Sequence, residues 1–285
     1  MPRMAVVAIL GAGDIGGAAA HALAASDRIG RVLLVDAAAS AAEGKALDLR
    51  QSGAVRRFHT SLDGTGDLSR VTGCDVCIVA DRFGAAEGEW RGDEGLAMLK
   101  DAAPYLGSAP IVFAGASQLE LIVHCAVEAG IDRRRLIGSS AEAFVSAVTA
   151  IVAMEAGCSP REVMLTVLGA PPSGFVVPWT EASIGGYALH DVVPQAQLAR
   201  IQARVPHLWP PGPGVLGTAA AQIAEAAVAG SRRSFSVLTY LDGEFGVRHR
   251  AGAVPARLGT RGIVHTLVPE LTTRERVQLQ TALGG

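Results

Sequence analysis

Positive charge is scarce and narrowly sourced: lysine occurs only at Lys45 and Lys100, and arginine supplies the rest of the 25 basic residues. Against 27 acidic residues the net charge is -2, so there is no global positive field for non-specific nucleic-acid binding. DNA and RNA are not expected partners. Charged residues reach only 18% against 49% hydrophobic, which excludes a disordered or fibrous chain. Cysteine is also sparse. Cys74, Cys77, Cys125 and Cys158 are too few in 285 residues for a disulfide framework. Cys74-Asp75-Val76-Cys77 has redox spacing, but it opens a strand-like run and reads as buried strand thiols. No apolar run approaches the ~18 residues of a membrane span. Met1 to Met4 and the apolar Ala5 to Leu10 imitate a signal peptide, yet the run breaks at Gly11-Ala12-Gly13 without a cleavage stretch. A cytoplasmic protein with no membrane partner is expected. Metal-ligand spacing, a nucleophile elbow and a phosphate-loop lysine are missing too, so no metal is expected.

What is present is alternation. Ala5 to Leu10, Val32 to Val35, Val76 to Ala80, Ile111 to Phe113 and Leu136-Ile137 read as strands. Between them, 14–25, 38–51, 89–103 and 119–129 are long enough for crossover helices. The pattern predicts a Rossmann α/β fold, a doubly wound parallel sheet with helices on both faces. After Gly138 it changes to a helical stretch, Ala141 to Ala156, a strand-like Val163 to Leu168, and Gly/Pro-rich connections. The length suggests about two domains. The expected division is 1–140 for dinucleotide binding and 141–285 for a second, α+β, substrate or dimerisation domain. Pro206 to Gly214 is expected to be a non-helical loop.

One motif carries chemistry. Gly11-Ala12-Gly13-Asp14-Ile15-Gly16 fits G-x-G-x-x-G, follows an apolar strand and opens an alanine-rich helix; a second strand ends in Asp36, twenty residues after Gly16. Gly11 makes the tight turn, Gly13 lets backbone approach a pyrophosphate, and Gly16 allows close helix–strand packing. The helix N-terminus, with Asp14 and Ile15 in its first turn, offers free N–H groups to phosphate. Asp36 would accept from ribose hydroxyls and repel a 2′-phosphate. NAD is therefore favoured over NADP, since Ala37 and Ala38 provide no arginine for that phosphate.

These residues belong to a longer resemblance. GAGDIGG, then VLLVD, then Glu43-Gly44-Lys45-Ala46-Leu47-Asp48-Leu49 resemble the lactate/malate dehydrogenase family, as do Ala86-Glu87-Gly88-Glu89-Trp90-Arg91, Ile151 to Gly157 and Tyr240 to Val247. The resemblance implies NAD as cofactor and a homodimer through the helix carrying EGKALDL, where Ala41, Ala42, Leu47 and Leu49 offer an apolar face. It also implies a catalytic histidine paired to an aspartate, an arginine clamping the substrate carboxylate, and a loop arginine polarising the carbonyl. Here Pro171, Phe144 and Ala147 stand at the histidine, aspartate and clamp positions, the loop position that selects the substrate is Ala85, and Arg91 alone is a vestige of the set. The strand-five turn reads Ala114-Gly115-Ala116-Ser117. The expectation is an NAD-binding protein without 2-hydroxy-acid dehydrogenase activity, in a regulatory or partner-binding role; the pocket beside the nicotinamide is either polar and open or filled by Phe144 and Pro171. The alternatives are an active NAD-dependent oxidoreductase on an unusual or non-carboxylate substrate, with Asp81, Arg82 and Arg91 in new roles, and a structural subunit without ligand. Asp81-Arg82-Phe83 is the notable departure, because that strand end usually skirts the cofactor with small residues. It supplies either new polar chemistry or a local ion pair.

Overall fold

The computed structural model describes residues 4–172 and 174–284. Val6–Leu10 forms β1, followed by α1 (Asp14–Ser26), β2 (Arg31–Val35), α2 (Ala39–Arg56), β3 (Ser61–Thr65), β4 (Val76–Val79), α3 (Gly92–Leu106), β5 (Ile111–Phe113), α4 (Leu119–Val127) and β6 (Leu136–Gly138). The six strands run parallel in the order β3-β2-β1-β4-β5-β6. Apolar, β-branched runs suit these strands because helices bury them on both faces; Val7, Ala8, Ile9, Val76, Cys77 and Ile78 are fully buried. The signal-like apolar run is thus a central strand, and residues 1–3 of that stretch lie outside the described residues. β3 escaped the sequence reading. Ser61-Leu62-Asp63-Gly64-Thr65 is polar because an edge strand has one neighbour; Leu62 alone is fully buried, while Asp63 pairs with Arg31 at 2.8 Å.

The second half adds α5 (Ser140–Ala156), β7 (Val163–Met164), β8 (Leu168–Ala170), β9 (Gly174–Val176), β10 (Ser183–Ile184), β11 (Tyr187–Ala188), α6 (Leu189–Val192), α7 (Gln195–Arg204), α8 (Pro213–Ala229), β12 (Ser234–Asp242), β13 (Arg248–Gly259), β14 (Gly262–Thr266) and α9 (Thr273–Ala282). β12 pairs antiparallel with β6 at Leu238 and Gly138, so the parallel sheet continues through β12, β13, β8 and β9 into one eleven-stranded sheet. Two expectations need correcting. The single strand Val163 to Leu168 is split: β7 joins β10 and β11 in a small sheet, and β8 pairs with β13. Pro206 to Gly214 is not wholly loop, because a 3-10 turn covers Val205–Leu208 and α8 begins at Pro213. Proline is tolerated in a first helical turn, where its missing N–H has no intrahelical partner to lose.

α8 lies against α1 through small residues. A Cβ on Gly217 would stand 2.5 Å from the Ile15 carbonyl oxygen and 2.6 Å from the Ala19 nitrogen. That close crossing brings Pro213 and Leu216 of the second half up to the glycine turn of the first. No helix among the described residues is long and apolar enough to cross a membrane.

Candidate functional site

The parallel strands point their carboxyl ends at one crevice, and the strand order reverses between β1 and β4, the place where open α/β sheets bind ligands. Gly11, at φ +114°, makes the turn out of β1 in a conformation that favours glycine. A Cβ on Gly16 would lie 2.1 Å from the Gly11 carbonyl oxygen, so α1 can start this close to its strand only with glycine there. At the end of β2 the Asp36 carboxylate is buried: Oδ2 accepts from the Ala12 N–H at 2.8 Å and the Phe83 N–H at 2.9 Å, and Oδ1 from the Ala38 N–H at 2.9 Å. Lys45, quoted in the sequence only as part of EGKALDL, donates to the Gly13 carbonyl at 2.7 Å and lies 6.0 Å from the Phe83 ring centroid. It fastens α2 to the turn.

Asp81, just past β4, resolves the question its sequence left open. Its carboxylate reaches the N-terminus of α1, where Oδ2 accepts from the Asp14 N–H and Oδ1 from the Gly16 N–H, both at 2.9 Å. Arg82 forms the local ion pair, to Glu94, with its guanidinium 4.8 Å from the Trp90 ring centroid. The Arg82 N–H donates to the Gly88 carbonyl at 2.8 Å, and Asp81 forms an antiparallel bridge with Glu89, so residues 81–89 fold back as a closed loop. Glu89, which the sequence gave no reason to single out, ties that loop to the end of β5 by accepting from the Ala116 and Ser117 N–H groups at 3.1 and 2.7 Å. Gln118, also missed, is buried and donates to the Trp90 carbonyl at 3.0 Å.

Arg91 lies at the N-cap of α3, half exposed and paired with Glu87. It lines a cleft of about 470 Å³ bounded by Asp14, Ile15 and Asp81, by the loop from Ala85 to Glu89, by Ala116 and Ser117, and by Pro210, Pro211, Pro213 and Leu216. Four acidic residues line this cleft, Asp14, Asp81, Glu87 and Glu89, and among the described residues Arg91 is its one basic side chain. None of the seven histidines lines it. Among the described residues no group of three or more potential ligands could hold a metal.

Phe144 and Pro171 are not among the residues that line the cleft. Phe144 is instead buried in a separate aromatic cluster, stacked on Phe175 with ring centroids 4.4 Å apart and set edge-on to Trp209 at 6.0 Å. Ala147, three residues along α5, is half-buried and carries no charge. The Glu142 carboxyl, one turn before, accepts from the Ser236 N–H at 2.9 Å, and burial raises its pKa against the pull of that bond and of Arg233. The thiols of Cys74 and Cys77 are buried as expected; burial pushes Cys74 up to about 11 and Cys77 well above the thiol range.

Residues 5–97 match the family model described as lactate/malate dehydrogenase, NAD binding domain, so the cofactor this fold serves is NAD. The chain is 30% identical to a malate dehydrogenase of Thermomicrobium roseum over 96% of its own length and 93% of that protein's. It is 28% identical to a malate dehydrogenase of Cytophaga hutchinsonii, over 97% and 94%. The structure of a malate dehydrogenase from Salinibacter ruber covers 98% of the chain and is itself covered to 94%, at 25% identity and a TM-score of 0.84. A lactate dehydrogenase of Cryptosporidium parvum, solved with lactic acid and NAD, shares the fold at 22% identity and a TM-score of 0.86. These likenesses overturn the expectation of a chain that has lost dehydrogenase activity: its relatives are dehydrogenases along nearly their whole length. With identity of 30% sustained across 96% of the chain and the fold kept end to end, the protein belongs to the lactate/malate dehydrogenase family.

Proposed function

We propose that the protein is an NAD-dependent oxidoreductase acting on a small hydroxy or oxo compound that carries at most one negative charge. The observation that supports this reading is the cleft itself: it lies beside the glycine turn of a malate-dehydrogenase-like chain and is lined, among the described residues, by one basic side chain and four acidic residues. A dicarboxylate would find one partner there and strong repulsion elsewhere. The frame suits a dinucleotide. Gly11, Gly13, Asp14, Ile15 and Gly16 would lie along its diphosphate, and Asp36, with a lone pair of Oδ1 still free, would accept from the adenosine ribose and repel a 2′-phosphate. When bound, NAD supplies the hydride acceptor or donor.

The chain's own residues do the rest. Arg91, once drawn from Glu87 to the substrate, polarises the substrate oxygen. Because no histidine lines the cleft, proton exchange at that oxygen goes through a carboxylate or water. The pH profile of kcat/KM should therefore lack a limb at the histidine pKa of about 6.5. In this reading 1–140 hold the cofactor and 141–285 complete the substrate side through 210–216. Cytoplasmic location is part of the proposal, supported by the free thiols of all four cysteines. A homodimer through α2 is part of it as well: Leu47 is 44% and Val55 84% exposed. Ala42 takes no part, since it is fully buried in its own chain's core. NADH oxidation measured against oxaloacetate, pyruvate and a set of uncharged 2-oxo compounds tests the reading. Turnover of an uncharged or monoanionic compound is expected, and turnover of oxaloacetate alone would overturn the substrate assignment.

A further inference from the structure

We infer that Asp81 is a built-in occupant of the diphosphate subsite, so that a dinucleotide binds this chain by displacing the Asp81 carboxylate from the N-terminus of α1. The inference rests on the proposed cofactor role of the glycine turn. The N–H groups of Asp14 and Gly16, which a helix start offers to an anion, both donate to Asp81 at 2.9 Å. The room that a glycine leaves for a ligand is taken as well: a Cβ on Gly13 would lie 2.4 Å from the Asp81 carboxyl carbon. The same segment reaches the ribose anchor, because the Phe83 N–H occupies Asp36 Oδ2. Asp81 and Phe83 thus occupy, from within the chain, two donors that the turn presents to a nucleotide and one oxygen of the ribose anchor.

The occupant is tied to the loop. Asp81 is bridged to Glu89, and the loop so closed ends at Arg91. The closed loop leaves Arg82 Nε and Trp90 Nε1 buried without hydrogen-bond partners, which weakens its hold on that arrangement.

Isothermal titration of wild type, Asp81→Ala and Asp81→Asn with inorganic pyrophosphate and with NADH tests this. Removing an ionised competitor that holds two charge-assisted bonds should tighten both ligands at least tenfold in Asp81→Ala. Asp81→Asn, which keeps one acceptor oxygen and loses the charge, should shift both in the same direction by less. Thermal unfolding shows whether each variant is folded, and if the alanine variant is not, the asparagine variant decides. A gain for pyrophosphate without NADH binding in any variant would support the occupied subsite and overturn the dinucleotide reading. Equal or weaker binding of both ligands in a folded variant would overturn the inference, while NADH binding by the wild type would leave the cofactor reading standing.

Discussion

At the carboxyl ends of β1, β2 and β4, backbone N–H groups and two carboxylates hold the chain together, whereas under α5 three aromatic rings do so. The first region is built from bonds of fixed direction: Asp36 to Ala12 and Phe83, Asp81 to Asp14 and Gly16. The second, Phe144 with Phe175 and Trp209, is built from area and shape. Directional bonds leave anchors that a ligand can compete for, while a packed aromatic cluster leaves none. That difference accounts for where the cleft lies, at the polar strand ends rather than around Phe144.

If the aromatic cluster is structural, truncating it should cost more than any change at the strand ends. Phe144→Ala is expected to lower stability by about 3–5 kcal/mol, as for a fully buried aromatic ring, read by urea denaturation. A loss under 1 kcal/mol would mean the rings do not hold α5. Gly217→Ala comes next. Its Cβ would meet the backbone of Ile15 and Ala19 and the Ala18 side chain across the α1 crossing, and overpacking of this kind costs about 1–3 kcal/mol; the same denaturation series checks it.

Asp36→Ala sharpens the contrast from the other region. It should leave the Ala12 N–H unpaired in a buried turn, at about 1–3 kcal/mol, and abolish discrimination between NADH and NADPH in calorimetric titration. A preference for NADH kept at the wild-type ratio would show that Asp36 does not face the ribose. The smallest effect belongs to Glu142. Burial raises its folded pKa above the ordinary carboxylate value, so its contribution is fully present in acid and is lost as pH climbs through the raised value. Glu142→Gln should remove that loss. Its thermal midpoint should exceed that of the wild type near neutrality, and the gap should close as pH falls below the carboxylate range.

The strand ends were legible because their determinants are local. A strand, a glycine turn and a helix start follow one another from Val6 to Gly16, and Asp36 closes the next strand, so spacing alone predicts all of them. β3 was not legible, since an edge strand with one buried face carries little apolar signal. Nor were Glu89 and Gln118, whose partners Ala116, Ser117 and Trp90 lie 27 or 28 residues away. The split of Val163 to Leu168 between two sheets likewise depends on partners, β10 and β13, that come later in the chain.

By itself the sequence determined the doubly wound parallel half, the glycine turn and Asp36, because each is a matter of residue type and near spacing. Only the tertiary structure decided what those residues do together. Asp81 is 65 residues from Gly16 in the chain and 2.9 Å from its nitrogen in space. Phe144 reaches Trp209 and not the cleft, because helix and sheet packing, and not sequence order, fixes which side chains share a volume.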